Sequence, residues 1–155
     1  MKSLRYLTTA VLILSLAGYS ACKKKNPGPK GPTEQQQQAQ KLAGTWNTSS
    51  VDASPTGVDP SLINTLTMTF NVDNENNPTS FSASNAPEYF STLSSSAWSF
   101  SGTSTTVINL SNVTPVTSFD ITDLSGTTLK IHFTFVTPQR TQKLDGDYNL
   151  TLTKQ

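Results

Sequence analysis

The feature that most constrains this chain is a two-residue alternation of apolar and polar side chains. It sets in after Gly44 and recurs to the end of the sequence. Leu66, Met68, Phe70 and Val72 alternate with Thr67, Thr69 and Asn71. Leu129, Ile131, Phe133 and Phe135 alternate with Lys130, His132 and Thr134, and Tyr148, Leu150 and Leu152 with Asn149, Thr151 and Thr153. Side chains of a strand leave opposite faces in turn, so each run predicts a strand with one dry and one wet face. Thr and Ser supply 38 of the 114 residues after Lys41, a composition that suits the outer faces of antiparallel sheets.

Strands are predicted near 44–51, 66–73, 79–84, 96–101, 105–111, 117–124, 127–137 and 147–153. Turn chemistry separates them at Asp73–Pro78, Ser101-Gly102-Thr103, Ser125-Gly126 and Asp145-Gly146. Asp59-Pro60 predicts one short helical turn before the second strand. Eight sequential strands with short links predict an all-β antiparallel meander, either closed as a barrel or packed as a two-sheet β-sandwich. The expected core contains Trp46, Met68, Phe70, Phe100, Phe119, Ile131, Phe133, Phe135, Leu150 and Leu152. A barrel of eight strands has an interior that side chains fill or that holds one small ligand.

The N-terminus carries a different signal. Met1–Arg5 is short and cationic, Tyr6–Leu16 is apolar, and Ala17–Ala21 is a mostly small-residue run ending before Cys22. This order predicts an export signal over residues 1–21, with an apolar stretch too short to span a bilayer. Cys22 is the single cysteine of the chain and has no internal disulfide partner. Ser20 and Ala21 before it resemble a bacterial lipobox, although Tyr19 stands where leucine is usual. With the lysines and polar stretch that follow, the segment resembles lipoproteins of the Bacteroidota. That resemblance implies cleavage before Cys22, acylation of Cys22 with chains such as palmitate, and anchoring at the outer membrane. Several acyl chains hold a protein durably, whereas one chain does so reversibly. Surface-exported lipoproteins of this kind carry an acidic run after the cysteine; Lys23, Lys24 and Lys25 stand there instead, which points to the periplasmic side.

Residues 22–41 read as the lipidated cysteine and a flexible tether, in which Pro27, Pro29 and Pro32 alternate with Gly28 and Gly31. The far end carries a helix signal: Thr33 and Gln36 have capping-box spacing, and Glu34–Leu42 favours helix, with Leu42 available to hold it to a core. The folded domain is expected over 42–155.

Its opening residues, Leu42-Ala43-Gly44-Thr45-Trp46, carry the Gly-x-Trp found at the first strand of lipocalins. The domain resembles the lipocalin-like domains of Bacteroidota lipoproteins in strand order and spacing over roughly residues 42–153. The family's Trp is typically covered by an arginine near the last strand, whereas Arg140, the one arginine of the domain, is expected in the preceding loop. A Thr-Asp-Tyr motif of the family is absent; Asp147-Tyr148 instead follows glycine at the start of the last strand.

Side chains for chemistry are sparse. From Leu42 onward there are 4 basic and 9 acidic residues, so the domain lacks the cationic face that a nucleic-acid binder needs. His132, the sole histidine, is expected on an outward strand face with Lys130 and Thr134, and no cysteine remains in the domain to join it on a metal. Asp120 and Asp123, three apart on one strand, are expected on opposite faces. Asp73-x-Glu75-x-Asn77 resembles the start of an EF-hand loop, but Pro78 and Ser84 occupy its glycine and glutamate positions, so a polar turn is expected. No Gly-x-Ser-x-Gly motif or phosphate-cradling glycine loop is present, and neither a catalytic residue, a metal nor a cofactor is expected.

Trp98, Phe100 and Tyr89 read either as core or as an aromatic platform for a ligand at a barrel mouth. Two functions therefore fit the sequence. The first is a membrane-anchored, non-catalytic module that binds a small apolar molecule or a glycan. The alternative is a structural or accessory subunit that docks onto an outer-membrane protein complex.

Overall fold

The computed structural model describes residues 31–136 and 144–155. The predicted signal segment, Cys22, the tether as far as Lys30, Arg140 and the last residue of the predicted 127–137 strand lie outside the described residues. All of the described strands belong to one unit, Pro32–Gln155.

Eight strands form it: β1 Gly44–Ala53, β2 Thr67–Val72, β3 Pro78–Ser84, β4 Phe90–Phe100, β5 Val107–Pro115, β6 Ser118–Leu124, β7 Thr128–Phe135 and β8 Gly146–Lys154. Each pairs antiparallel with the next, and β8 returns to pair with β1, closing a barrel. The meander is thus a barrel and not the sandwich, and closure leaves no exposed sheet edge. All ten residues of the expected core are buried. The predicted turn at Asp59-Pro60 is a 3-10 turn, Pro60–Leu62, whose Asp59 carboxylate accepts from the Ser61 N–H at 2.9 Å.

One end of the barrel is closed by helix α1, Glu34–Leu42. Thr33 caps it reciprocally: its Oγ1 accepts from the Gln36 N–H, and the Gln36 Oε1 accepts from the Thr33 N–H. Ala39 and Leu42 are buried. Gln35 Nε2 donates to the carbonyls of Gly102 and Ser104 in the β4–β5 turn, and Gln36 Nε2 to Asn77 Oδ1 in the β2–β3 turn. Residues 34–41 therefore belong to the folded body and not to the tether, because Ala39 joins Leu42 in giving the helix an apolar face.

The chain leaves α1 through Gly44, whose φ of +122° is open to glycine and strained for other residues. A Cβ there would also stand 2.9 Å from Lys154 Cε. Trp46 follows, fully buried, with its Nε1 donating to the Leu42 carbonyl at 2.7 Å. Lys154, its cross-strand partner on β8, sets its Nζ 5.1 Å from the Trp46 ring centroid and donates to the Lys41 carbonyl. A lysine of the last strand thus covers this tryptophan.

At the opposite end the connecting loops turn Val58, Ile63, Leu66, Ala86 and Val116 into the core. Between the two ends the interior is aromatic. Phe70 lies against Phe81, Trp98 and Phe119 with centroids 5.2 to 6.1 Å apart. Tyr89 packs on Phe133, Phe135 and Tyr148, and Phe133 stacks on Tyr148 at 5.1 Å. Ser96 is the buried polar residue of the described chain, and no buried side-chain nitrogen or oxygen described lacks a hydrogen bond. Side chains from all eight strands pack together in this interior.

Candidate functional site

The residues expected to offer a ligand platform are packing residues. Trp98 is 3 % exposed, its Nε1 donates to the Asn71 carbonyl, and its ring meets Phe70 and Phe100 edge-on. Phe100 is buried beside it. Tyr89 is buried with its hydroxyl 3.2 Å from that of Tyr148. The Tyr148 hydroxyl donates to the Leu144 carbonyl at 2.7 Å, leaving its oxygen to accept from Tyr89. Burial pushes both phenols above their ordinary range. Trp98 and Phe100 point inward for the same reason as the core: alternate residues of β4 face the barrel axis.

Among the described residues, two hollows on the outer wall gather polar side chains. The first is a hollow of about 180 Å³ across β6 and β7, lined by Ser118, Phe119, Asp120, His132, Phe133 and Thr134. His132 is 33 % exposed and faces outward as expected. Strand pairing gives it two acidic neighbours that its own strand does not reveal. Its Nδ1 lies 3.7 Å from Asp120 Oδ2, and its Nε2 lies 3.6 Å from Asp147 Oδ1. Both distances exceed a direct hydrogen bond. Thr134 Oγ1 gives its proton to Asp147 at 2.6 Å and not to the imidazole. The arrangement can form ion pairs when His132 is protonated; it does not align a hydroxyl as a nucleophile.

Asp120 and Asp123 do not lie on opposite faces. A bulge between Ile121 and Asp123 inserts one residue, so that Asp120 sits across from His132 and Asp123 across from Lys130 on the same outer wall. Simple alternation fails at a bulge. The Asp73 loop is a self-bonded polar turn: its carboxylate accepts from the N–H groups of Glu75 and Asn77 and from Asn77 Nδ2. The Asn77 contacts, foremost among these, hold the Asp73 carboxyl below its ordinary range. Among the described residues no three His, Cys, Asp or Glu side chains converge as a metal cluster.

The second hollow, about 350 Å³, lies over β2, β3 and β4 and has the more specialised construction. Asn71, Ser80, Ser82, Thr92, Leu93 and Ser94 contribute to its lining, and none of its lining residues is charged. One wall is an unusual bulge. Thr92 pairs with Val113 and Ala97 with Ser111, so residues 93–96 of β4 face the single residue Asn112 of β5. Asn112 adopts a left-handed φ of 56°. Its Nδ2 donates to the carbonyl and hydroxyl oxygens of Ser95. The Ser96 hydroxyl accepts from the Leu93 N–H and donates to the Asn112 carbonyl, each at 2.8 Å. Leu93 is thereby held at 65 % exposure. The bulge also explains why the sequence yields β4 only from 96 and β5 only to 111: serines 94–96 and Asn112 interrupt the alternation.

No protein-family model matches the chain, and neither a curated protein nor a solved structure is found similar to it. No helix of the described residues is long and apolar enough to cross a membrane.

Proposed function

We propose that the protein is a membrane-anchored envelope lipoprotein of the lipocalin-like kind, acylated at Cys22, held at the outer membrane on its periplasmic side, and acting as a non-catalytic binding module. The observation that carries this reading is the order of its parts: export-signal pattern, Cys22, a proline-interrupted lysine-rich stretch, and then a barrel seated on its own helix. A module confined near a membrane by a tether works at raised local concentration, which makes weak binding effective.

The filled interior supports contact on the outer wall in place of the central calyx. A small apolar molecule needs an apolar cavity, whereas both wall hollows are lined mainly by hydroxyl, amide or ionisable side chains. Of the two ligand classes expected, this favours the glycan. The filled interior also favours a second reading, docking onto an envelope protein complex. Against it, Leu62, Leu93 and Val136 are the exposed large apolar side chains among the described residues, few for a docking surface.

Native mass spectrometry of the protein released gently from its own membrane tests the proposal. The expected species begins at Cys22, carries acyl mass and retains a glycan. A chain beginning at Met1 without acyl mass contradicts the anchor, and a stoichiometric protein companion in place of a small ligand favours docking. Full recovery of a Cys22→Ala variant in the membrane fraction also contradicts the anchor.

A further inference from the structure

We infer that the hollow over β2, β3 and β4 is a binding site for a neutral oligosaccharide, with Leu93 as its apolar contact and the Asn71, Ser80, Ser82 and Ser94 side chains as its polar ones. The inference rests on the binding-module reading above and locates its site.

Three features converge there. The first is construction. Looping four residues against one, placing Asn112 in the left-handed region and burying the Ser96 hydroxyl are all unfavourable for a plain strand pair. Bulges of this kind re-aim side chains next to sites, and here the side chain re-aimed is Leu93. The second is lining chemistry. Ser80 Oγ accepts from Asn71 Nδ2 at 2.9 Å, so that hydroxyl's own proton is available to a ligand. Serine hydroxyls both donate and accept, as sugar hydroxyls do, and an asparagine amide offers both functions in one plane. A single leucine suits the C–H face of a pyranose ring. The third is charge. With no ionisable side chain in the lining, an anion or a metal ion meets no opposite charge to offset its desolvation there. A hollow of about 350 Å³ falls within the size of small-ligand sites.

The test is an NMR titration of the full chain, isotope-labelled, in a detergent without a sugar headgroup. The probes are neutral hexasaccharides of glucose, mannose, galactose and N-acetylglucosamine, taken to about 10 mM, beyond the weak end of specific recognition. At least one should shift the resonances of Ser80, Ser82, Leu93 and Ser94 saturably. Leu93→Ser should weaken that binding at least tenfold, and Val136→Ser, an equally exposed change outside this lining, should leave it unaltered. Unchanged amide spectra away from the bulge certify that Leu93→Ser folds. Shifts confined to another part of the wall overturn this site while preserving the binding-module reading. An uncharged Ser/Thr/Val decapeptide that moves the same resonances when no hexasaccharide does overturns the ligand class. No shift with any probe overturns the inference, and if native mass spectrometry also shows no small ligand, the binding-module reading falls with it.

Discussion

The ammonium of Lys154 lies 5.1 Å from the centroid of the Trp46 ring and donates to the carbonyl of Lys41, joining the last strand to the first strand and to the end of α1. The last carbonyls of a helix lack internal partners, and that end of its dipole favours a cation. Trp46 Nε1 serves the neighbouring Leu42 carbonyl. One lysine and one indole thus finish the helix and close the barrel end. Gly44 is required between them because its φ is +122° and the Lys154 stem passes where a Cβ would be.

Replacing Lys154 by Met keeps the aliphatic stem and removes the charge. The expected loss is about 1–2 kcal/mol, combining an exposed cation–π contact with a helix C-terminal cation. Lys154→Arg should recover most of it. Urea midpoints of the three proteins check this, and equal midpoints would show that the contact is ornamental.

Ser96→Ala should destabilise by about 1–3 kcal/mol, because the Leu93 N–H and the Asn112 carbonyl both lose their partner. Amide exchange at Leu93 should speed up more than at Trp98. A uniform change along β4 would mean that the bulge does not depend on this hydroxyl.

Phe133→Ala should cost about 3–5 kcal/mol, the usual range for truncating a buried phenylalanine. The ring is 2 % exposed and touches Tyr89, Phe90 and Tyr148. A loss under about 1 kcal/mol would contradict its place in a close-packed interior.

Stability should fall in alkali. Tyr89 and Tyr148 are held protonated by burial in the folded chain, so their folded values lie above the ordinary 10.0. Below pH 10 both states keep the phenolic protons and stability is unaffected. Above it the unfolded chain ionises first, and stability drops by up to about 1.4 kcal/mol per pH unit for each phenol until the folded value is reached. Urea midpoints between pH 8 and 11 check the sign. Tyr89→Phe should flatten the decline.

All eight strands are legible in the sequence, and the sharpest are those with uninterrupted alternation, β2, β7 and β8. Their inward residues were all legible. What stayed hidden depends on register. The acidic neighbours of His132 come from β6 and β8, and Lys154 reaches Trp46 across the closing seam. The shared face of Asp120 and Asp123 depends on a bulge. The Leu93 hollow was hidden for the same reason: bulge residues look like loop in a period-two reading. Trp98, Phe100 and Tyr89 illustrate the converse, since aromatic residues attract a binding interpretation although large rings most often fill cores.

The central claim is that side chains occupy the barrel interior, leaving recognition to the outer wall. Xenon pressurisation of crystals tests it most directly, because xenon enters dry apolar cavities of about 150 Å³. The expected result is no xenon among Trp46, Phe70, Trp98, Phe133 and Tyr148. An ordered xenon site enclosed by those rings would reveal an apolar calyx and contradict it.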